Sequence, residues 1–157
     1  MIKAIGKEDL KQALDLVNDV FSEFVAIDYS EQGNNTFQDY LKNKYEEFSA
    51  DLETGHKKAW GYYQDGKIIG VIATRDISHI ALMFVDKHHH RKGIARQLFD
   101  TVLEELKGNS EVTQITVNSS PYAAVAYERL GFVKTGKQQE KDGIIFIPMA
   151  RSLINEG

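Results

Sequence analysis

The chain has 157 residues, 42% hydrophobic and 27% charged, with two prolines, no cysteine and a formal net charge of −4. That size fits one domain, expected over residues 1–157, and buries roughly 70% of the unfolded chain's surface, enough for a core without staples. The composition excludes global disorder, the missing cysteine excludes disulfides, thiolate metal sites and thiol nucleophiles, and the acidic balance argues against a nucleic-acid partner.

Residues 2–5 read as a short strand. After Lys7-Glu8-Asp9, apolar residues recur at spacings of three and four (Leu10, Ala13, Leu14, Val17, Val20, Phe21, Phe24), the period of one helix face. Ala26 to Gly33 breaks the pattern, and a second helix is predicted from Thr36, as N-cap, to Leu52. The period then changes. Lys58 to Tyr63 and Lys67 to Thr74 flank Asp65-Gly66, a dipeptide suited to a two-residue hairpin turn. Ser78 to Val85 reads as a further strand, Asp86 to Lys92 as a basic loop, and Ile94 to Leu106 as a helix ended by Gly108-Asn109. Val112 to Val117 is β-branched strand sequence, and Tyr122 to Leu130 a short helix stopped at Gly131. Two last strands, Phe132 to Gly136 and Ile144 to Met149, are joined across Asp142-Gly143.

The resulting order, β-α-α-β-β-β-α-β-α-β-β, predicts an α/β fold with a mixed sheet and helices on its faces. No stretch approaches the ~18 uninterrupted apolar residues of a membrane span. The N-terminus has no signal-like apolar run either, so a cytoplasmic protein without membrane contact is expected. A homodimer is the commonest default assembly.

The segment Val85 to Ala95 joins a strand, a basic loop and a helix start with glycine in its first turn. Such a start offers unpaired N–H groups and partial positive charge to a phosphate. Lys87, Arg91, Lys92 and Arg96 add charge. By itself the segment is read equally well as a helix cap on a solvated basic turn. The nucleotide-triphosphate loop and the three-glycine dinucleotide fingerprint are both absent. His88-His89-His90 makes no metal motif, because neighbouring residues point apart and no cysteine assists.

Two further segments give this pattern a family likeness. Phe84-Val85-Asp86 precedes the loop, and His90-Arg91-Lys92-Gly93-Ile94-Ala95 follows the consensus of Gln or Arg, two residues, Gly, one residue, then Gly or Ala, except at His90. Downstream, Asn118 ends a strand, Ala123 and Ala126 follow, and Tyr127 stands four residues before Gly131-Phe132. With these the chain resembles the GNAT superfamily of acetyltransferases over nearly its whole length.

The resemblance implies an N-acetyltransferase that moves the acetyl group of acetyl-coenzyme A to a primary amine, most simply a small molecule, without a metal. It implies that Phe84 and Val85 offer backbone to the pantetheine arm, with the Val85 N–H also facing the thioester oxygen. His90, Arg91, Lys92, Gly93, Ile94, Ala95 and Arg96 would surround the pyrophosphate, the role of the His90 side chain being open. Asn118 would bond the pantetheine amide, and Tyr127 would be the general acid. His79 stands eleven residues before His90, the spacing at which relatives carry a carboxylate base on this strand. Simple alternation puts residues 79, 81, 83 and 85 on one face, which directs His79 along the cleft as the base. It is read equally as a strand-entry histidine held by a hydrogen bond. Tyr29 and Tyr40 fall where the family builds its acceptor pocket. The alternatives are a non-catalytic acyl-coenzyme A-binding module and a peptide N-terminal acetyltransferase.

Overall fold

A computed structural model describes residues 1–43, 45–90 and 92–153. Its strands, among the described residues, are β1 (Ile2–Ala4), β2 (Lys57–Gln64), β3 (Lys67–Arg75), β4 (His79–Val85), β5 (Gln114–Ser119), β6 (Val133–Lys134), β7 (Gln139–Lys141) and β8 (Ile144–Ser152). The sheet runs β1-β2-β3-β4-β5-β8-β6, with β7 paired to β8. Only β4 and β5 are parallel in this order, because a helix connects them; the other pairings are antiparallel.

Helices cover both faces. On one lies α1 (Leu10–Val20), whose buried Leu10, Ala13, Leu14, Val17 and Val20 pack with Val71, Ala73 and Leu82. On the other lies α4 (Ile94–Leu106), whose Ile94, Leu98, Phe99, Val102 and Leu106 pack with Ile72, Ile80 and Ile115. The short α5 (Ala124–Arg129) joins that second face through Ala124 and Tyr127. Burial of the Leu, Ile, Val and Phe side chains among these contributes about 1.5–3 kcal/mol each relative to exposure. The mixed α/β architecture expected from the sequence is present.

Three local differences from the sequence expectation stand out. The first helix does not end at Phe24 as an α-helix: Phe21–Val25 form a π turn and Ala26–Asp28 a 3-10 turn. The second helical stretch begins early, as α2 (Glu31–Asn43), and is followed by α3 (Tyr45–Thr54). Gly33, read as part of a break, lies inside α2 because it meets the β7–β8 turn: a Cβ there would run into the Gly143 carbonyl. Thr36 is not a cap but spans the same contact, its Oγ1 donating to Asp142 O at 2.8 Å. The hairpin at Asp142-Gly143 joins β7 to β8, while Val133–Lys134 pair with Met149 and Ala150 further along β8.

Candidate active site

Strand β4 carries one surplus residue. Ala73 pairs with Leu82 and Thr74 with Ile80, leaving Ala81 as a bulge. Bulges bend a strand and raise its twist, and here the bend coincides with the end of pairing to β5. Only His79↔Thr116 and Ile80↔Val117 are paired; beyond them β4 and β5 diverge. A gap opens in the sheet from Ala81 to Val85.

Hydrogen-bond parity along β4 decides what faces that gap. Asp86 N donates to Ile69 O at 2.8 Å, and the register Phe84↔Val71 and Leu82↔Ala73 continues that ladder. Alternate residues exchange bonds in an antiparallel pair. The main-chain groups of Phe84 and Leu82 are therefore committed to β3, and those of Val85 and Met83 turn toward the gap. Of the two residues expected to offer backbone, Val85 does so and Phe84 does not. Met83 takes its place, and the Phe84 side chain packs on the α1 side.

The bulge also relocates His79. Ile80 packs with the α4 side and Leu82 with the α1 side, so odd and even positions exchange faces across Ala81. His79 thus lies across the sheet from the Met83 and Val85 side chains, which pack on the α4 side. It stands at the far end of β4, on the order of 20 Å from Val85 at ~3.3 Å per residue. Its Nδ1 lies 2.8 Å from Thr116 Oγ1. Burial, then the Arg75 charge, lowers its pKa below the usual histidine value, against the opposing pull of Asp76. His79 does not line the cavity that holds Tyr127, so this geometry gives it a strand-entry role and not that of a base.

At the other end of β4 the chain turns into the loop. Asp86 caps a 3-10 turn at Lys87–His89 by accepting from His88 N at 2.8 Å. His90 Nε2 donates to the Val85 carbonyl at 2.7 Å, and its ring lies 5.2 Å from that of Phe24. His89 and His90 share the groove at the α4 start, while His88 lines a separate hollow beside α1. Arg91 lies outside the described residues. Lys92 is exposed. Gly93 holds φ +78°, a left-handed conformation open to glycine and strained for other residues, and starts α4 with no side-chain cap. The first-turn N–H groups of Ile94, Ala95 and Arg96 have no partner within the helix. The Arg96 guanidinium is engaged, donating to Arg129 O at 2.8 Å, and so ties α4 to the end of α5.

Two connected spaces flank the gap. A groove of about 530 Å³ runs between the α4 start and α5, lined by Val85, His90, Gly93, Ile94, Ala95 and Ala126 among others. A cavity of about 130 Å³ passes between β4 and β5. Met83, Tyr122 and Ala123 line both. Tyr127 is 4% exposed and reaches the cavity from α5, its ring edge-on to Phe132 at 5.4 Å. Burial raises its pKa well above the usual phenol value, so it keeps its proton. Among the described residues its hydroxyl has no protein partner, yet no buried side-chain oxygen is left unsatisfied; the hydroxyl therefore meets open space. Asn118, exposed at the end of β5, lines the same cavity, as does Tyr29. Tyr40 does not; it packs against Phe37 at 6.1 Å, and Phe37 lines the cavity instead.

The gap, the glycine-started helix and the buried phenol fit an acyl-coenzyme A: unpaired backbone for an amide-bearing arm, first-turn N–H groups for phosphate, and a proton beside the point where the two spaces join. Among the described residues no helix is long and apolar enough to cross a membrane.

Comparison with known proteins agrees with this geometry. Residues 25–153 match the family described as an Acetyltransferase (GNAT) domain. The chain is 28% identical over 98 residues to the UPF0157 protein YqkA of Bacillus subtilis, covering 60% of this chain and 29% of that protein. It is 32% identical over 89 residues to N-acetyltransferase 8 of Homo sapiens, covering 50% of this chain and 39% of that protein. The chain thus spans well under half the length of these curated relatives. Its fold is shared with the crystal structure of a GCN5-related N-acetyltransferase from Rhodopseudomonas palustris, at TM-score 0.78 and 19% identity over 98% of this chain and 95% of that one. It is also shared with PaiA N-acetyltransferase from Thermoplasma acidophilum in complex with coenzyme A, at TM-score 0.73 and 18% identity over 97% and 98%. A family match over residues 25–153, carried on a fold common to both crystal structures, makes this chain a member of the GNAT acetyltransferases.

Proposed function

We propose that the protein transfers the acetyl group of acetyl-coenzyme A to a primary amine by direct attack in a ternary complex. One observation carries this reading: the backbone of Met83 and Val85 turns into a gap that β5 leaves open, with a helix N-terminus at one end and the Tyr127 hydroxyl at the other. When bound, the cosubstrate supplies an activated acetyl group and a thiol leaving group. The chain's own groups do the rest. Ile94, Ala95 and Arg96 N–H groups, with the helix dipole, hold the pyrophosphate. Val85 and Asn118 hold the amide-bearing arm. Met83 N–H, farther from the helix start and beside the Tyr127 cavity, is a fixed donor for the acyl oxygen, where negative charge develops. Tyr127, kept protonated by burial, donates to the departing sulfur. Holding both reactants in one gap removes much of the barrier by positioning alone.

Among the described residues lining the cavity there is no carboxylate or imidazole. The amine proton therefore leaves through water. The same observation favours a second reading, an acyl-coenzyme A-binding module without turnover. Incubating the protein with acetyl-coenzyme A and a panel of amines, with free thiol as the readout, separates the two. Amine-dependent thiol release that collapses in Tyr127→Phe supports catalysis. Tight cosubstrate binding with no release for any amine supports the binding module.

A further inference from the structure

The short helix α5 has two unlike faces. Ala124 and Tyr127 are buried against the sheet, while Val125, Ala126 and Arg129 line the groove beside the α4 start. Spacings of three and four put these last three on one face. Val125 and Ala126 bring no charge to it, so the cation stands alone at its end. Arg96, in the first turn of α4, borders the same groove. Its guanidinium donates to Arg129 O at 2.8 Å, and Arg151 Nη1 donates to Leu130 O at 3.1 Å. Two arginines thus take carbonyls at the end of α5 that would otherwise repel an anion. The Arg129 side chain itself has neither an ion pair nor a hydrogen bond among the described residues. No carboxylate is among the described residues lining the groove. The groove gathers positive charge and holds nothing to balance it.

We infer that Arg129, with Arg96 beside it, binds the phosphate on the ribose of coenzyme A, so that the protein selects coenzyme A over dephospho-coenzyme A. This rests on the acyl-coenzyme A reading and adds a specificity-determining residue to it. Three physical points lead there. First, the pyrophosphate is already provided for by the first-turn N–H groups on the axis of α4. The charged group of the cosubstrate left without a partner is the ribose phosphate, one sugar further on. Second, Arg129 lines the groove but not the cavity between β4 and β5 that holds Tyr127. It therefore stands at the nucleotide end, away from the acyl group, and its main chain touches the Arg96 guanidinium, within one side chain's reach of the helix start. Third, a guanidinium is permanently charged and offers paired donors that match phosphate oxygens. A ribose phosphate supplies the missing counter-charge.

Calorimetry on the whole protein, with coenzyme A and with dephospho-coenzyme A at low and high salt, tests this. The expected result is that coenzyme A binds at least ~tenfold more tightly, by a margin that shrinks as salt rises. In Arg129→Gln the affinity for coenzyme A falls to near that for dephospho-coenzyme A, whose own affinity is unchanged. Arg129→Lys, which keeps the charge and loses the paired donors, keeps part of the margin. Equal affinity for the two ligands in the unsubstituted protein overturns the inference while leaving coenzyme A binding intact. An equal loss for both ligands in Arg129→Gln also overturns it, since the arginine then serves the pyrophosphate or the fold. Absence of binding by either ligand overturns the acyl-coenzyme A reading and this inference with it. Arg129 is exposed, and the comparison of the two ligands on the unsubstituted protein decides the question even without a variant.

Discussion

The His90 ring and the Val85 carbonyl are joined by a hydrogen bond of 2.7 Å that spans the corner where β4 becomes the loop. It satisfies one of the two main-chain groups that Val85 turns into the gap and leaves its N–H as the open donor. It also gives a function to the position where this loop departs from the family consensus. We expect His90→Ala to raise the KM for acetyl-coenzyme A about tenfold, corresponding to ~1.4 kcal/mol, with kcat changed less. His90→Gln, whose amide also donates, should restore most of the loss. Steady-state kinetics on the three proteins checks both.

Tyr127→Phe removes a hydroxyl that, among the described residues, has no protein partner. Loss of a general acid lowers kcat roughly 100-fold or more, with the dissociation constant for acetyl-coenzyme A nearly unchanged. Stability should hold or rise slightly, because a buried polar group without a protein bond is removed. Because burial raises the phenol pKa, the unsubstituted enzyme should show no fall in kcat from phenol ionisation up to the ordinary phenol pKa near ~10. A descending limb near neutrality that disappears in Tyr127→Phe would contradict this assignment.

Gly93→Ala tests the helix start. A Cβ there meets only Gln97 Nε2, at 4.0 Å, so space is not the obstacle. The obstacle is φ +78°, which costs a non-glycine residue about 1–2 kcal/mol. The expected outcome is a ten- to thirtyfold weaker coenzyme A affinity by calorimetry, as the chain relieves that strain by turning the first-turn N–H groups. Lys92→Ala, an exposed charge, should cost less and lose its effect at high salt.

Gly33→Ala acts on the other side of the gap. The added methyl runs into the Gly143 backbone and separates α2 from the β7–β8 turn. Alanine is the better helix former by about 1 kcal/mol, so a gain in stability would show that this contact is dispensable. We expect instead a raised amine KM, with acetyl-coenzyme A binding retained, since α2 supplies Phe37 to the cavity and nothing to the groove.

His79 governs stability in acid. Its folded-state pKa lies below the unfolded value, so the unfolded chain binds more protons as pH falls from about 6.5. The stability held above that pH is lost progressively below it. In urea titrations at pH 7.5 and 5, His79→Asn should lose less stability on acidification than the unsubstituted protein. Its kcat profile with pH should be unaltered, which distinguishes a strand-entry histidine from a base.

What the sequence revealed follows from where local patterns carry the information. The loop from His90 to Ala95, the start of α4 at Ile94 and the position of Tyr127 are legible because glycine, apolar period and motif spacing coincide there. The bulge at Ala81 is not legible: Ile80-Ala81-Leu82 is apolar throughout, so alternation carries no mark of a surplus residue. That one gap in the pattern misdirects His79, puts Phe84 forward as a backbone donor and conceals Met83. Gly33 reads as a helix breaker, because its use is a contact 110 residues away in sequence with Gly143. Strand β7 is exposed along its length and has no apolar alternation; only its turn was visible.

The surplus residue in β4 also bears on how such a protein can change over evolutionary time. The donor side of the gap is made largely of main-chain atoms, released by the bend at Ala81, and most substitutions along β4 leave those atoms in place, Gly93 at the helix start being an exception. In the proposed reaction the acceptor side is made of side chains from the π turn, the bend after it and α2, such as Val25, Tyr29 and Phe37, each open to replacement one codon at a time. The two halves of the reaction are therefore inherited on different terms: one insulated, the other free to drift toward new amines without disturbing the first.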